Sequence, residues 1–114
     1  MPYINMKTSA KLDTGTILDL KKAFGEAITL IPGKTERWLM INIDNECEMA
    51  FAGDYTTACA MLEVEIFGAA SDAAYDALTK KLCDVVSNKT GIPKDRIYVK
   101  YREVGHWGMG GFNF

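Results

Sequence analysis

The chain has 114 residues, 48% of them hydrophobic and 25% charged, which suits one compact domain around a single core (residues 1–114). A formal net charge of −2 with no lysine/arginine stripe excludes a nucleic-acid binder, because nothing is placed to neutralise phosphates. No apolar run approaches the roughly 18 residues that cross a bilayer, and the N-terminus lacks the apolar stretch of a signal peptide; the expectation is a cytoplasmic protein, or one secreted without a leader.

Pro2 to Ser9 reads as a first strand. Pro2 suits a strand start, where its missing N–H costs nothing. It is also a small residue next to Met1, so removal of the initiator would leave a free prolyl amine. A secondary amine is a good base once burial or nearby cations lower its pKa towards neutrality, whereas a retained Met1 makes the same nitrogen an inert amide. Ile17, Leu20, Phe24, Ala27, Ile28 and Ile31 then fall on one face of a helix. Thr16 with Asp19 has the spacing of a capping box, and Pro32 stops the helix. Gly33-Lys34 makes the following turn, and a second strand begins around Arg37-Trp38-Leu39-Met40.

A polar connection from Asp44 to Thr57 leads to a third strand, Cys59 to Phe67. Ser71 suits the N-cap of a second helix, Tyr75, Leu78, Leu82, Val85 and Val86 form its apolar stripe, and Gly91 is placed to end it. After Pro93 comes a last strand in which Tyr98 and Lys100 share one face and Ile97, Val99 and Tyr101 the other. The Gly- and aromatic-rich tail from Glu103 to Phe114 cannot be helical and suits a short strand added to a neighbour's sheet edge.

The chain is therefore written twice as β-α-β, with Pro32-Gly33-Lys34-Thr35-Glu36-Arg37 echoed by Pro93-Lys94-Asp95-Arg96. Crossover helices make the strands of each half parallel, and a single apolar stripe on each helix puts both on one sheet face. The expected fold is α/β (α+β): a four-stranded mixed sheet with two helices on one face. Its bare face, read as apolar, points to an oligomer in which sheets pack together.

Chemistry-bearing candidates are few. A prolyl amine, Lys34, Lys100 and the Tyr98 phenol together suit proton transfer beside the carbonyl of an anionic substrate. Taken singly, the two lysines also fit solvated charges and Tyr98 an interface aromatic. Glu63 and Glu65 share a strand face and suit solvent or a neighbouring lysine better than acid/base work. Cys47, Cys59 and Cys83 form no C-x-x-C and fit small thiols in a reducing compartment, and the lone His106 argues against a metal site.

Met1-Pro2, Gly33-Lys34, Met49-Ala50-Phe51-Ala52-Gly53 with Cys59-Ala60, Ile66-Phe67-Gly68 and Asp95-Arg96-Ile97-Tyr98-Val99-Lys100-Tyr101 follow in an order that resembles the macrophage migration inhibitory factor family of the tautomerase superfamily over nearly the whole chain. The resemblance implies a homotrimer of β-α-β-β-α-β subunits with active sites between neighbours and no cofactor. It implies a keto–enol tautomerase of the phenylpyruvate or dopachrome type. Pro2 matches the acid/base, Lys34 the substrate-binding lysine, and Phe67, with Ile66 adjacent, the backbone contact. Tyr98 matches a tyrosine supplied by the next subunit, and Phe112, with Trp107 as the other choice, the aromatic near the tail. Lys100 stands where vertebrate members usually carry asparagine, and Leu62 replaces the second cysteine of a Cys-x-x-Cys. Other readings are a cytokine-like signalling or binding protein with a receptor partner, a hydration-type dehalogenase or decarboxylase, and a ferredoxin-like regulatory trimer.

Overall fold

The computed structural model describes residues 1–114. Strand β1 (Pro2–Thr8) leads to helix α1 (Thr14–Ala27), strand β2 (Met40–Asp44), strand β3 (Ala60–Phe67), helix α2 (Asp72–Thr90) and strand β4 (Ile97–Val104). A small hairpin, β5 (Gly108–Met109) and β6 (Phe112–Asn113), closes the chain. The sheet order is β2-β1-β3-β4, with β1/β2 and β3/β4 parallel and β1/β3 antiparallel, so the two β-α-β halves meet along their first strands.

Alternation along the strands explains the core. Ile4 and Met6 of β1 and Ala60, Leu62, Val64 and Ile66 of β3 are buried under the helices, with Ile97 at the start of β4. Leu20 and Phe24 of α1 and Leu78, Leu82 and Val86 of α2 fill the other side. The single polar residue inside, Thr8, is satisfied by donating to the Cys59 carbonyl at 2.8 Å.

The second helix begins and ends where its caps predict. Ser71 accepts from the Ala74 N–H at 3.1 Å, and Gly91 terminates it in the left-handed conformation at φ 79°. The first helix differs. Its N-cap is Asp13, which accepts from the Thr16 N–H at 2.7 Å, so Thr16 is the capped residue and not the cap. It also finishes at Ala27 and tightens into a 3-10 turn, Ile28–Leu30, before Pro32. A second 3-10 turn, Glu36–Trp38, delays β2 to Met40.

The uncovered sheet face corrects the expectation of an apolar surface. Across β2, β1, β3 and β4 it presents rows Met40-Tyr3-Glu65-Arg102 and Asn42-Asn5-Glu63-Lys100. Asn42 donates to Asn5 at 2.9 Å, while Lys100–Glu63 and Arg102–Glu65 ion pairs span 3.4 and 3.5 Å. Alternation fixes which residues share that face, but the residues there mix polar pairs matched across strands with Tyr3, Met40, Met61 and Tyr98. Within the protomer the tail adds no strand to the sheet: it folds on itself, Met109 opposite Phe112.

Candidate active site

Parallel pairing of β1 with β2 brings the turn before β2 to the same end of the sheet as Pro2. The antiparallel partner β3 ends there too, with Ile66 opposite Pro2. That end therefore collects the start of the chain, the Gly33-Lys34 turn and the Phe67-Gly68 turn. Lys34 closes its turn by donating its N–H to the Ile31 carbonyl at 3.0 Å, with Gly33 at φ 81°. Its ammonium reaches across to donate to the Phe67 carbonyl at 2.8 Å. Phe67 in turn donates its N–H to the Met1 carbonyl at 2.9 Å. Of the two adjacent residues, Phe67 is thus the one whose peptide groups face the chain start.

The amine at the chain start sits in an environment that disfavours its charged form. Burial lowers the Met1 amine below its ordinary range, and the Lys34 cation lowers it further by charge repulsion and hydrogen bonding. Pro2 itself is buried at the head of β1. Beside it opens a cavity of about 340 Å³, walled mainly by Pro2, Tyr3, Trp38, Met40, Glu65 and Trp107. The Glu65 carboxylate is held by Arg102 at 3.5 Å, and the Arg37 guanidinium lies 5.0 Å from the Trp38 ring centre. The aromatic walls suit a flat, apolar ligand, and the Lys34 ammonium near the chain start is the group that suits an anionic end, with the Glu65 carboxylate paired to Arg102.

One protomer assembles Pro2, Lys34, Phe67, Ile66 and Trp107, and leaves Tyr98, Lys100 and Phe112 elsewhere. Tyr98 stands opposite Met61 and Lys100 opposite Glu63. At about 3.3 Å per residue, those positions lie roughly 17 and 10 Å down the sheet from the Pro2 end. Tyr98 is 57% exposed and Phe112 80% exposed. The walls Tyr3, Trp38 and Met40 escaped the sequence reading, which weighed Glu65 only as a strand-face acid facing solvent or a neighbouring lysine. Met40 and Glu65 flank Tyr3 in the sheet; Met40 pairs with it inside the first half, whereas Glu65 reaches it only through the way the halves meet.

A larger hollow of about 650 Å³ lies near the other end of β1, among Ser9, Cys47, Glu48, Met49 and Tyr55, with no lysine or arginine in its walls. The three cysteines are free thiols, and no group of His, Cys, Asp or Glu side chains is gathered to hold a metal ion.

The family model described as macrophage migration inhibitory factor (MIF) matches residues 1–113. The chain belongs to the MIF family. It is similar to the macrophage migration inhibitory factor of Xenopus laevis, 29% identical over 113 residues that cover 96% of this chain and 94% of the relative. The crystal structure of Leishmania major MIF2 superposes with a TM-score of 0.92 at 28% identity, covering 100% of this chain and 97% of that one. A MIF homologue from Prochlorococcus marinus superposes at 0.82 with 25% identity, covering 98% of both chains. Two helices over a four-stranded mixed sheet are thus the MIF architecture as well as the one its repeat predicts. No helix of the chain is long and apolar enough to cross a membrane.

Proposed function

We propose that this MIF-family protein is a keto–enol tautomerase whose acid/base is the amine of Pro2, released by removal of Met1. The observation that carries the reading is the Met1 carbonyl, which takes the Phe67 N–H beside the Lys34 ammonium. When Met1 leaves, that N–H and the ammonium remain as two donors next to a prolyl nitrogen. An α-keto acid such as phenylpyruvate fits them with its carboxylate, and its ring fits the aromatic walls around Trp38 and Trp107.

The chemistry then needs one group. The unprotonated amine removes a proton from the carbon next to the carbonyl, and the electron pair moves onto the carbonyl oxygen. The prolinium returns the proton to that oxygen, giving the enol; the reverse order gives the ketone. Lys34 favours the amine's neutral form and stabilises the oxyanion as it develops. The exposure of Tyr98 and Lys100 on the sheet, away from Pro2 in the same protomer, supports a homotrimer in which a neighbour brings them to the site.

A cytokine-like binding role, with a receptor partner outside the cell, is a second reading, favoured by the name its curated relative carries. Mass spectrometry of the purified N-terminus and ultraviolet assay of phenylpyruvate tautomerisation test the catalytic reading together. A processed chain should be active, and Pro2→Gly should slow it by about 10², the scale of general-base loss. An inactive processed chain, or an unchanged rate in the variant, would overturn it.

A further inference from the structure

The turn that leaves β3 is clamped from a direction the catalytic reading does not use. The Phe67 carbonyl that receives Lys34 and the Gly68 N–H belong to one planar peptide group. That N–H donates to the Val104 carbonyl at 3.2 Å at the end of β4. Two residues on, the Ala70 N–H donates to Glu103 Oε2 at 3.3 Å. The same oxygen accepts the Tyr75 hydroxyl of α2 at 2.6 Å. Tyr75 is itself braced: its ring centre lies 4.5 Å from that of Tyr101, whose hydroxyl donates to the Tyr75 carbonyl at 3.2 Å and pairs with Thr79 at 2.7 Å.

We propose that Tyr75 and Glu103 are positioning residues for the Lys34–Phe67 anion-binding pair, acting through the Gly68–Ala70 turn. The proposal rests on the tautomerase reading for its function, but its geometry stands in the protomer alone. Gly68, at φ 90°, lets the chain swing about the Phe67-Gly68 peptide, so the turn keeps its direction only where both of its ends are held. Releasing Ala70 leaves the turn held only at the Phe67-Gly68 peptide, by Val104 and Lys34. The peptide plane then rotates, and the Phe67 carbonyl and its lysine move with it. Burial and the Glu103 carboxylate push the Tyr75 phenol up to about 12, so it stays a donor throughout the neutral range.

The test uses the processed full-length protein with Tyr75→Phe, Glu103→Ala and Glu103→Gln, comparing phenylpyruvate kinetics and an NMR titration of the prolyl amine. Tyr75→Phe should raise KM about fivefold, the scale of one hydrogen bond, with kcat nearly unchanged. It should also raise the prolyl pKa, because Lys34 spends less time beside the amine. The titratable groups around the chain start are Lys34 and, from the cavity wall beside Pro2, Tyr3 and Glu65. Losing the Glu103 charge directly would lower the prolyl pKa, so a rise in Glu103→Ala marks repositioning of Lys34 and not simple electrostatics. Glu103→Gln keeps an acceptor and should restore KM most of the way. An unmoved KM and prolyl pKa in folded Tyr75→Phe and Glu103→Ala would overturn the proposal. A wild type that does not tautomerise phenylpyruvate sinks the catalytic reading, and the prolyl titration then decides the positioning claim alone.

Discussion

Phe51 and Tyr98 meet edge to face with ring centres 4.8 Å apart. The contact joins the Met49–Gly53 and Asp95–Tyr101 segments, which the linear chain separates by more than 40 residues. Arg96 completes the joint: its guanidinium lies 5.2 Å from the Phe51 ring centre and donates to the Ala58 and Thr57 carbonyls, each at 3.0 Å. The two motifs occur together because each supplies half of one packed corner, at the end of β4 that carries Tyr98.

That corner should make stability depend on acid. Hydrogen bonds from Thr57, then Thr56, hold the Asp54 carboxyl well below the usual carboxylate range. A depressed folded pKa contributes stability that is present above the unfolded value, about 4, and lost as pH falls towards the folded one. Asp54→Asn should therefore flatten the fall in Tm below about pH 4 while leaving the neutral-pH curve parallel to wild type. Thermal melts from pH 2 to 7 check it; an unaltered acid slope would mean that other carboxylates carry it.

Lys34→Ala removes the cation beside the chain-start amine. It should lower kcat/KM for phenylpyruvate by about 10- to 100-fold, the range for a hydrogen bond to a charged group. The acidic limb of the pH–rate profile should move to higher pH, since the prolyl amine is then easier to protonate. Steady-state assays from pH 5 to 9 read both effects.

The two tail aromatics should separate. Trp107 walls the Pro2 cavity, whereas Phe112 stands on the outer hairpin. Trp107→Ala should raise KM for phenylpyruvate about tenfold, the scale of one lost aromatic contact, and Phe112→Ala should leave it within about twofold. The reverse ranking would place a neighbour's Phe112 in the site.

Lys100 pairs with Glu63 in its own protomer and, in a trimer, should face the next subunit's amine. Lys100→Asn should then shift the acidic limb of kcat/KM upwards in pH, with a smaller shift at high salt. An unmoved limb at low salt would leave Lys100 as a solvated charge on the sheet.

Fold and site differ in how far the chain reveals them. The two β-α-β halves are local patterns, and Ser71, Gly91 and the alternating strands announce them without long-range information. The first helix misleads because Asp13 and Thr16 are both good capping types three residues apart, and only the backbone geometry decides between them. The site is harder. Lys34 and Phe67 meet across 33 residues, and Glu65 reaches the cavity through an antiparallel register that neither half specifies. Resemblance names Lys34 and Phe67 and offers Pro2 and Trp107; Tyr3, Trp38 and Met40 join the cavity only through the folded sheet.

The charged rows on the bare sheet face limit how copies of this protein can join. Laying that face flat on another would strip water from Glu63, Glu65, Lys100 and Arg102 at a cost on the order of several kcal/mol per ion, more than imperfect ion pairs return. Apolar surface is exposed instead at Trp38 and Met40, where the chain enters β2, and at Met109 and Phe112 on the tail hairpin. The Lys100–Glu63 and Arg102–Glu65 pairs are partly exposed in the protomer, so ionic strength acts on them directly.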